Sequence, residues 1–153
     1  MEFDRPMGRC DGESYGRRLG QLDVAATPAA VRLARSYVRE LVAEYFAVAP
    51  SGLGDLELMT SEVMTHAVAH AKPLRGGTVR LSALAIGRFV RIEVTDGGAV
   101  RGGPWEPEDP LAAGGRGLCL IEALATDHGS YPNADGTATF WFAAAARDRG
   151  QVS

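Results

Sequence analysis

The sequence predicts one two-layer α/β (α+β) sandwich, in which three helices cover one face of a mixed, mostly antiparallel sheet of about four or five strands. Three observations support this prediction. Apolar residues recur at helical spacing in three stretches, and apolar and polar residues alternate in two adjacent stretches joined by a tight turn. The chain has 153 residues, of which 46% are hydrophobic, which is enough for one core and too little for two.

The helices are predicted from three apolar patterns. TPAAVRLARSYVRELVAEYF gives the first, because Pro28 suits the first helical position and an apolar stripe follows it. The stripe comprises Val31, Ala34, Val38, Leu41 and Tyr45. After the break APSGLG, a second helix is predicted from about Asp55 to Ala71. Its buried stripe comprises Leu56, Met59, Val63, Ala67 and Val68. The third helix is predicted within RGLCLIEALATDHG.

The strands are predicted from alternation with a period of two. RLGQLDVA is a first short strand, TVRLSALAI and FVRIEVTD form an antiparallel hairpin around the turn GR, and TATFWFAAAA closes the chain after the turn GSY. Val90, Ile92 and Val94 share one face, and the same period places Asp96 on it, toward the core. Burying a carboxylate without partners is expensive, so Asp96 needs donors from the protein or from a ligand.

Charge and composition exclude several classes of function. The formal net charge is −3 and no Lys/Arg block occurs, which argues against binding nucleic acid. No apolar run approaches the roughly 18 residues of a membrane span, and the N-terminal stretch lacks the apolar core of a signal peptide, so we expect a cytoplasmic protein that does not enter a membrane. The two cysteines, Cys10 and Cys119, are predicted to be free thiols, with Cys119 buried.

The chain divides into three parts. We predict a flexible leader over residues 1–17, one domain over 18–146 and a polar tail over 147–153. Within the domain, the segment GGAVRGGPWEPEDPLAAGG has six glycines, three prolines and no periodicity. A connection of this length is longer than is usual in a compact domain, and we interpret it as a lid. Two interpretations fit Trp105: contact with a nucleotide or a partner, and packing within the lid itself.

Glycines precede the third helix in the stretch GGRGL. Glycines at a helix N-terminus let backbone N–H groups approach an anion, and the helix dipole favours negative charge there. A phosphate group is the natural ligand for such a site.

The stretch SEVMTHAVAHA places Glu62, His66 and His70 one helical turn apart in an otherwise apolar segment. Three interpretations fit this spacing: a zinc site, a nucleotide site with an unusual substitution, or the polar edge of a packed helix. Successive turns drift around the helix, which weakens the zinc interpretation. For His70 alone, a structural histidine at the helix end is the simplest interpretation. His128 is given no role.

Four motifs in order resemble the GHKL ATP-binding fold of gyrase, histidine kinases and mismatch-repair ATPases. The chain is most similar to a small bacterial branch, the anti-sigma-factor serine/threonine kinases and their actinobacterial relatives. SEVMTHAVAHA resembles that branch's SELVTNAVRHA, VTDGG its V-x-D-x-G/S, GRGLCLI its GRGLxLV, and GTATFWF its GxTVWF. The resemblance covers roughly residues 17–145 and implies a Bergerat-type ATP-binding fold.

The resemblance also implies roles for individual residues. Glu62 would be the general base that polarises an attacking hydroxyl or water, and Asp96 would accept the adenine amino group. Gly98 would allow the backbone to approach the purine, with Thr139 nearby through an ordered water. The triphosphate would lie at the GRGL motif, which comprises Gly115, Arg116, Gly117 and Leu118.

His66 departs from the pattern, because it stands where the family has the Asn whose side-chain oxygen holds Mg²⁺ against the phosphates. Mg²⁺ prefers oxygen ligands in a tight octahedron, so an imidazole nitrogen is a poor substitute. If His66 is the metal ligand, ATP is expected to bind weakly, to bind without turnover, or to use another metal such as Mn²⁺.

The resemblance implies an ATP-binding regulator of transcription. Such a protein would phosphorylate an antagonist protein on Ser or Thr, sequester a sigma factor, or do both, and the same analogy suggests a homodimer. The alternative is a module that has kept the fold and the partner surface but has lost kinase activity through His66, with or without nucleotide.

Overall fold

The computed structural model describes residues 16–98 and 116–148. Seven strands and three helices follow one another along these residues. They are β1 (Arg17–Ala25), α1 (Ala29–Tyr45), β2 (Phe46–Ala47), α2 (Pro50–His70), β3 (Thr78–Ile86), β4 (Phe89–Asp96), α3 (Arg116–Leu124), β5 (Asp127–Pro132), β6 (Ala138–Ala145) and β7 (Arg147–Asp148).

Five of the strands form one sheet in the order β1-β3-β4-β6-β5. Each neighbouring pair in it is antiparallel, so the parallel component of the predicted mixed sheet is absent from the described part of the chain. The three helices contribute to one hydrophobic core with the sheet. The predicted two-layer α+β sandwich is confirmed, and the hairpin strands β3 and β4 have the predicted bounds.

The core lies between the helices and one face of the sheet. On the sheet side it contains residues of four strands, namely Val24 of β1, Val79, Leu81, Ala83 and Ala85 of β3, Val90, Ile92 and Val94 of β4, and Phe140 and Phe142 of β6. Fully burying one large aliphatic side chain contributes about 1.5–3 kcal/mol. The strand period therefore fixes which face of β4 is inward, and with it the direction of Asp96.

Helix α1 packs through a row at spacing four. Ala30, Ala34, Val38 and Val42 are buried, and the small residues in this row let the helix lie close to its neighbours. The predicted stripe was rotated around the helix, because Val31, Leu41 and Tyr45 are only partly buried at the margin of the core.

Helix α2 begins at Pro50, not near Asp55 as predicted. The stretch APSGLG was interpreted as a break, but Pro50 occupies the first turn, where a missing N–H costs nothing. The backbone N–H of Leu53 donates to the carbonyl of Ala49, so the helical bonds start there. Thr60 is buried and donates its hydroxyl to the Leu56 carbonyl at 2.8 Å.

Two pairings were not predicted. The segment GSY, interpreted as a turn, lies inside β5, an edge strand that pairs with β6. Arg147 and Asp148 pair with Ala47 and Phe46, so the first two residues of the predicted tail form strand β7. Strand β1 begins at Arg17, and residues 1–15 of the predicted leader lie outside the described residues, so that boundary stays a prediction.

The sheet face opposite the helices carries a buried charged cluster. The Arg91 side chain is 0% exposed, its Nε lies 2.9 Å from Oε2 of Glu93, and its guanidinium lies 4.2 Å from the Trp141 ring centroid. Burial raises the pKa of Glu93 although the Arg91 charge acts in the opposite direction. This face therefore combines a buried ion pair with buried apolar residues such as Leu84 and Trp141, whereas the helix face is packed almost entirely by apolar side chains.

Two other findings concern sequence-based expectations. The Cys119 thiol is free but exposed on α3, so the prediction of a buried thiol was wrong. No helix in residues 16–98 or 116–148 is long and apolar enough to cross a membrane.

Candidate functional site

The site is centred on the end of β4, where Asp96 lies on the helix-facing side of the sheet. Its partner in β6 is Ala138, two residues before the core residue Phe140, which pairs with Val94. The strand period thus carries the side chain of Asp96 toward the helices, as the sequence predicted. Asp96 is partly buried at the margin of the core.

One oxygen of the Asp96 carboxylate is used inside the protein. Oδ1 accepts a hydrogen bond from the backbone N–H of Gly98 at 2.8 Å. No donor among the described residues reaches Oδ2. Burial raises the pKa of Asp96, and the Gly98 hydrogen bond only partly opposes that effect. A partly desolvated carboxylate with one remaining acceptor favours a ligand that donates a hydrogen bond.

Gly97 and Gly98 form a tight corner after Asp96. Gly98 has φ +109°, a conformation that disfavours residues with a Cβ, and a Cβ there would lie 2.6 Å from the Gly136 carbonyl oxygen. A Cβ on Gly97 would collide with the carbonyl oxygen of Pro73. The corner therefore fits between the segment after α2 and the β5–β6 turn only because it lacks side chains.

Two backbone hydrogen bonds join this corner to the end of α2. The N–H of Gly97 donates to the Lys72 carbonyl at 2.6 Å, and the N–H of Lys72 donates to the Gly98 carbonyl at 3.1 Å. The residues after α2 thus hold the end of β4 in place. The structure brings the β4 end and the C-terminal part of α2 together through backbone bonds.

Helix α2 carries the polar triplet Glu62, His66 and His70. His66 is 9% exposed, whereas His70 is exposed at the helix end, and their ring centroids lie 5.4 Å apart. Burial lowers the pKa of His66, the neighbouring His70 lowers it further, and the charge of Glu62 acts in the opposite direction. Glu62 is partly exposed one turn from His66.

The donor set on α2 does not fit Mg²⁺ in the way that the family motif implies. The residue at the Asn position is an imidazole, and a hard cation that prefers oxygen is poorly served by a nitrogen ligand. Within residues 16–98 and 116–148, no group of three His, Cys, Asp or Glu residues is arranged to hold a metal ion. The three-ligand zinc interpretation of this segment therefore has no support.

The structure does not bring Thr139 to Asp96. Thr139 pairs with Thr95, and their hydroxyl oxygens lie 2.8 Å apart on the sheet face away from the helices. Its hydroxyl also accepts a hydrogen bond from Nδ2 of Asn133 at 3.1 Å. Neighbouring strand residues point to opposite faces, so Ala138 takes the position beside Asp96. The alternation of Ala138, Phe140 and Phe142 was the signal in the sequence that could have shown this.

The remaining predicted residues belong to α3 or to the segment that precedes it. Gly115, Trp105 and most of the predicted lid fall outside the described residues. Arg116 and Gly117 open α3, which packs against α2. The Leu118 side chain is partly buried and packs against the core. His128, which was given no role, stacks on Phe140 at a centroid distance of 6.3 Å.

The fold and this corner define a class of protein, a helix-on-sheet domain with an inward acid at the end of a central strand. A family model described as a histidine kinase-like ATPase domain matches residues 24–141. The chain belongs to that family, which implies that it binds ATP. No curated protein matches the chain.

Proposed function

We propose that the protein binds ATP at the corner formed by β4 and α2, with Asp96 accepting a hydrogen bond from the adenine amino group. The observation that carries this proposal is the partly buried carboxylate whose Oδ1 is bound by Gly98 while no donor among residues 16–98 and 116–148 reaches Oδ2. The adenine amino group would supply the missing donor and would compensate the burial of the acid.

The same chemistry gives base specificity. Adenine presents an amino donor at the position where guanine presents a carbonyl acceptor, and a carboxylate oxygen facing that acceptor would be repelled. ATP should therefore bind more tightly than GTP. Ala138, which lies opposite Asp96 across the β4–β6 ladder, places only a methyl group beside the acid.

We further propose a regulatory role, in which the protein phosphorylates an antagonist on Ser or Thr, sequesters a sigma factor, or does both. Glu62 would act as the general base, and the start of α3 near Arg116 would lie at the phosphates. The order of the four motifs supports this role, as does the position of Glu62 on α2 one turn from His66. A cytoplasmic location and a homodimer belong to the same proposal.

A second candidate function is a nucleotide-dependent binding module without phosphoryl transfer. His66 favours it, because phosphoryl transfer depends on neutralising the phosphate charge and the imidazole replaces an oxygen ligand for the metal. In this case the ligand would set the shape of the partner surface and no chemical step would follow.

Calorimetry tests the nucleotide site. We expect ATP to bind more tightly than GTP, and Asp96→Asn to lose at least about tenfold in ATP affinity because the amide nitrogen can face the adenine amino group. Glu57→Gln, an acid-to-amide exchange on α2 and not on β4, is the matched control and should bind ATP normally. Equal affinities for ATP and GTP, with no effect of Asp96→Asn, would contradict the assignment.

Transfer of labelled phosphate separates the two functions. Wild-type protein and His66→Asn are incubated with γ-labelled ATP, Mg²⁺ or Mn²⁺ and a candidate antagonist protein. Transfer by the wild type supports the kinase, and transfer only by the variant supports the binding module.

A further inference from the structure

We infer that His66 and His70 form a two-imidazole site for a borderline divalent cation such as Co²⁺, Ni²⁺ or Zn²⁺. The further step, that this cation contacts the phosphates of ATP, rests on the proposed function. The site replaces the oxygen-based metal ligand of the family motif with a nitrogen pair from one helix.

The distance between the two rings fits a shared ion. A metal–nitrogen bond of about 2.1 Å places an imidazole centroid about 3.2 Å from the metal, and two such rings at a tetrahedral angle have centroids about 5 Å apart. The observed centroid distance is 5.4 Å, with the ring planes tilted by 36°. The two rings therefore have the spacing that a shared ion requires.

One ring is buried and the other is exposed, which suits a metal site that keeps coordination positions open to solvent. His66 is held in the protein interior by its position on the buried side of α2, which limits its rotamers and lowers the entropy lost on binding. His70 is exposed at the last residue of the helix. An ion between them would therefore face solvent on one side, where water or a ligand oxygen can bind.

The number of protein ligands limits the affinity of the pair. In the described part of the chain no third His, Cys, Asp or Glu completes the set, so the free protein should bind these ions only moderately. Phosphate oxygens of a nucleotide could fill the open positions. By linkage, ATP would then strengthen metal binding by the same factor by which the metal strengthens ATP binding.

The ligand type sets the choice of ion. Imidazole nitrogen suits Co²⁺, Ni²⁺, Cu²⁺ and Zn²⁺, whereas Mg²⁺ retains its waters and oxygen ligands. The competing explanation is a packing contact, in which the two rings only cover the end of α2. These explanations differ in what happens when Co²⁺ is added.

The experiment uses full-length protein without a polyhistidine tag and Co²⁺ as the probe, because its visible absorption changes when nitrogen ligands replace water. We expect a saturable spectral change in the wild type, with at least about tenfold weaker binding in His66→Asn and in His70→Asn. The chain has three histidines, so His128→Asn is the matched control and should bind Co²⁺ like the wild type. His70 is exposed, so its variant tests the site even if His66→Asn lowers stability.

Failure of this inference is distinguishable from failure of the proposed function. Wild-type binding of Co²⁺ that is unchanged in both His66→Asn and His70→Asn, or no saturable binding at all, overturns the metal site whatever ATP does. ATP affinity is then measured by calorimetry with no metal, with Mg²⁺ and with Co²⁺. An increase with Co²⁺ that His70→Asn removes supports the phosphate contact. Co²⁺ binding without any ATP binding leaves the metal site standing and rejects the nucleotide assignment.

Discussion

Ala138 lies directly opposite Asp96 across the β4–β6 ladder, and the next residue, Thr139, bonds to Thr95 on the other face of the sheet. Two adjacent residues of one strand thus belong to different chemical environments. The Ala138 methyl group borders the candidate nucleotide site, whereas the Thr139 hydroxyl belongs to a polar network.

This register predicts that substitution of Ala138 affects ATP affinity, whereas substitution of Thr139 affects stability. Ala138→Leu should reduce ATP affinity by at least about tenfold, because the larger side chain fills the space beside Asp96. Thr139→Val should leave ATP affinity unchanged and cost about 1 kcal/mol of stability through its lost hydrogen bonds. Calorimetry and denaturant unfolding measure the two quantities. Loss of ATP binding in Thr139→Val alone would show that the register argument does not locate the site.

Asp96→Asn should stabilise the ligand-free protein at neutral pH while it weakens ATP binding. Burial raises the pKa of Asp96 above its ordinary value of 3.8, so the folded protein holds the ionised acid at a cost. As pH falls through the raised pKa toward 3.8, the folded state takes up a proton before the unfolded state does, and this cost is relieved. The difference in Tm between variant and wild type should therefore be largest at about pH 7 and shrink in acid. A difference that grows in acid would contradict the direction of the shift.

Alanine substitution should cost more stability at Gly98 than at Gly76, although both glycines have a positive φ. Gly98→Ala should cost about 3 kcal/mol, because φ is +109° and the new Cβ would meet the Gly136 carbonyl oxygen. Gly76 has φ +93° but nothing within 4 Å of the place that a new Cβ would occupy, so Gly76→Ala should cost only about 1 kcal/mol. Denaturant unfolding gives both values. Equal losses would mean that the Gly136 contact contributes nothing.

Breaking the buried Arg91–Glu93 ion pair should cost far more stability than breaking an exposed ion pair with the same N–O distance. Arg91→Met leaves the Glu93 carboxylate buried without its cation and should cost about 3–5 kcal/mol. The double variant Arg91→Met/Glu93→Gln should recover most of this loss, because no charge then remains buried.

Arg80 provides the matched control, since its Nε also lies 2.9 Å from a carboxylate, that of Asp23, but the pair is exposed. Arg80→Met should cost less than about 1 kcal/mol. Unfolding at neutral pH measures all three variants, and similar losses for Arg80→Met and Arg91→Met would show that burial is not the deciding factor.

Gly54 offers a stabilising change. It lies inside α2 with nothing within 4 Å of an added Cβ, and glycine is a poor helix former. Gly54→Ala should therefore add about 0.5–1 kcal/mol of stability. ATP affinity should stay constant in calorimetry, and a loss of stability in unfolding would mean that α2 is not regular at this point.

The sequence could predict those parts of the fold that depend on local periodicity. Strands β3 and β4 alternate cleanly around Gly87, so both their bounds and the inward direction of Asp96 followed from the residues alone. Strand β5 was missed because its residues show no apolar alternation, and its pairing with β6 is a nonlocal interaction. The start of α2 was missed because Gly52 and Gly54 indicate a break, whereas Leu53 and Leu56 pack in or against the core and favour a helix there.

The candidate site likewise has residues that the sequence predicts and contacts that it does not. Glu62 and His66 were found from their spacing on one helix, and Asp96 from the strand period. The contacts of Gly97 and Gly98 with Pro73 and Gly136 were not predictable, because they depend on how distant segments meet. Thr139 was assigned from its motif, although the strand period pointed to Ala138.

The paired bonds between Lys72 and the Gly97–Gly98 backbone couple two parts of the molecule that would recognise opposite ends of a nucleotide. The α2 side would sense the charged tail and the β4 side the base. Separating the residues after α2 from the end of β4 would break both hydrogen bonds. A displacement of one segment would therefore displace the other. The corner would therefore respond to a ligand as a single cooperative unit, and recognition of the base and of the charged tail would not be independent events.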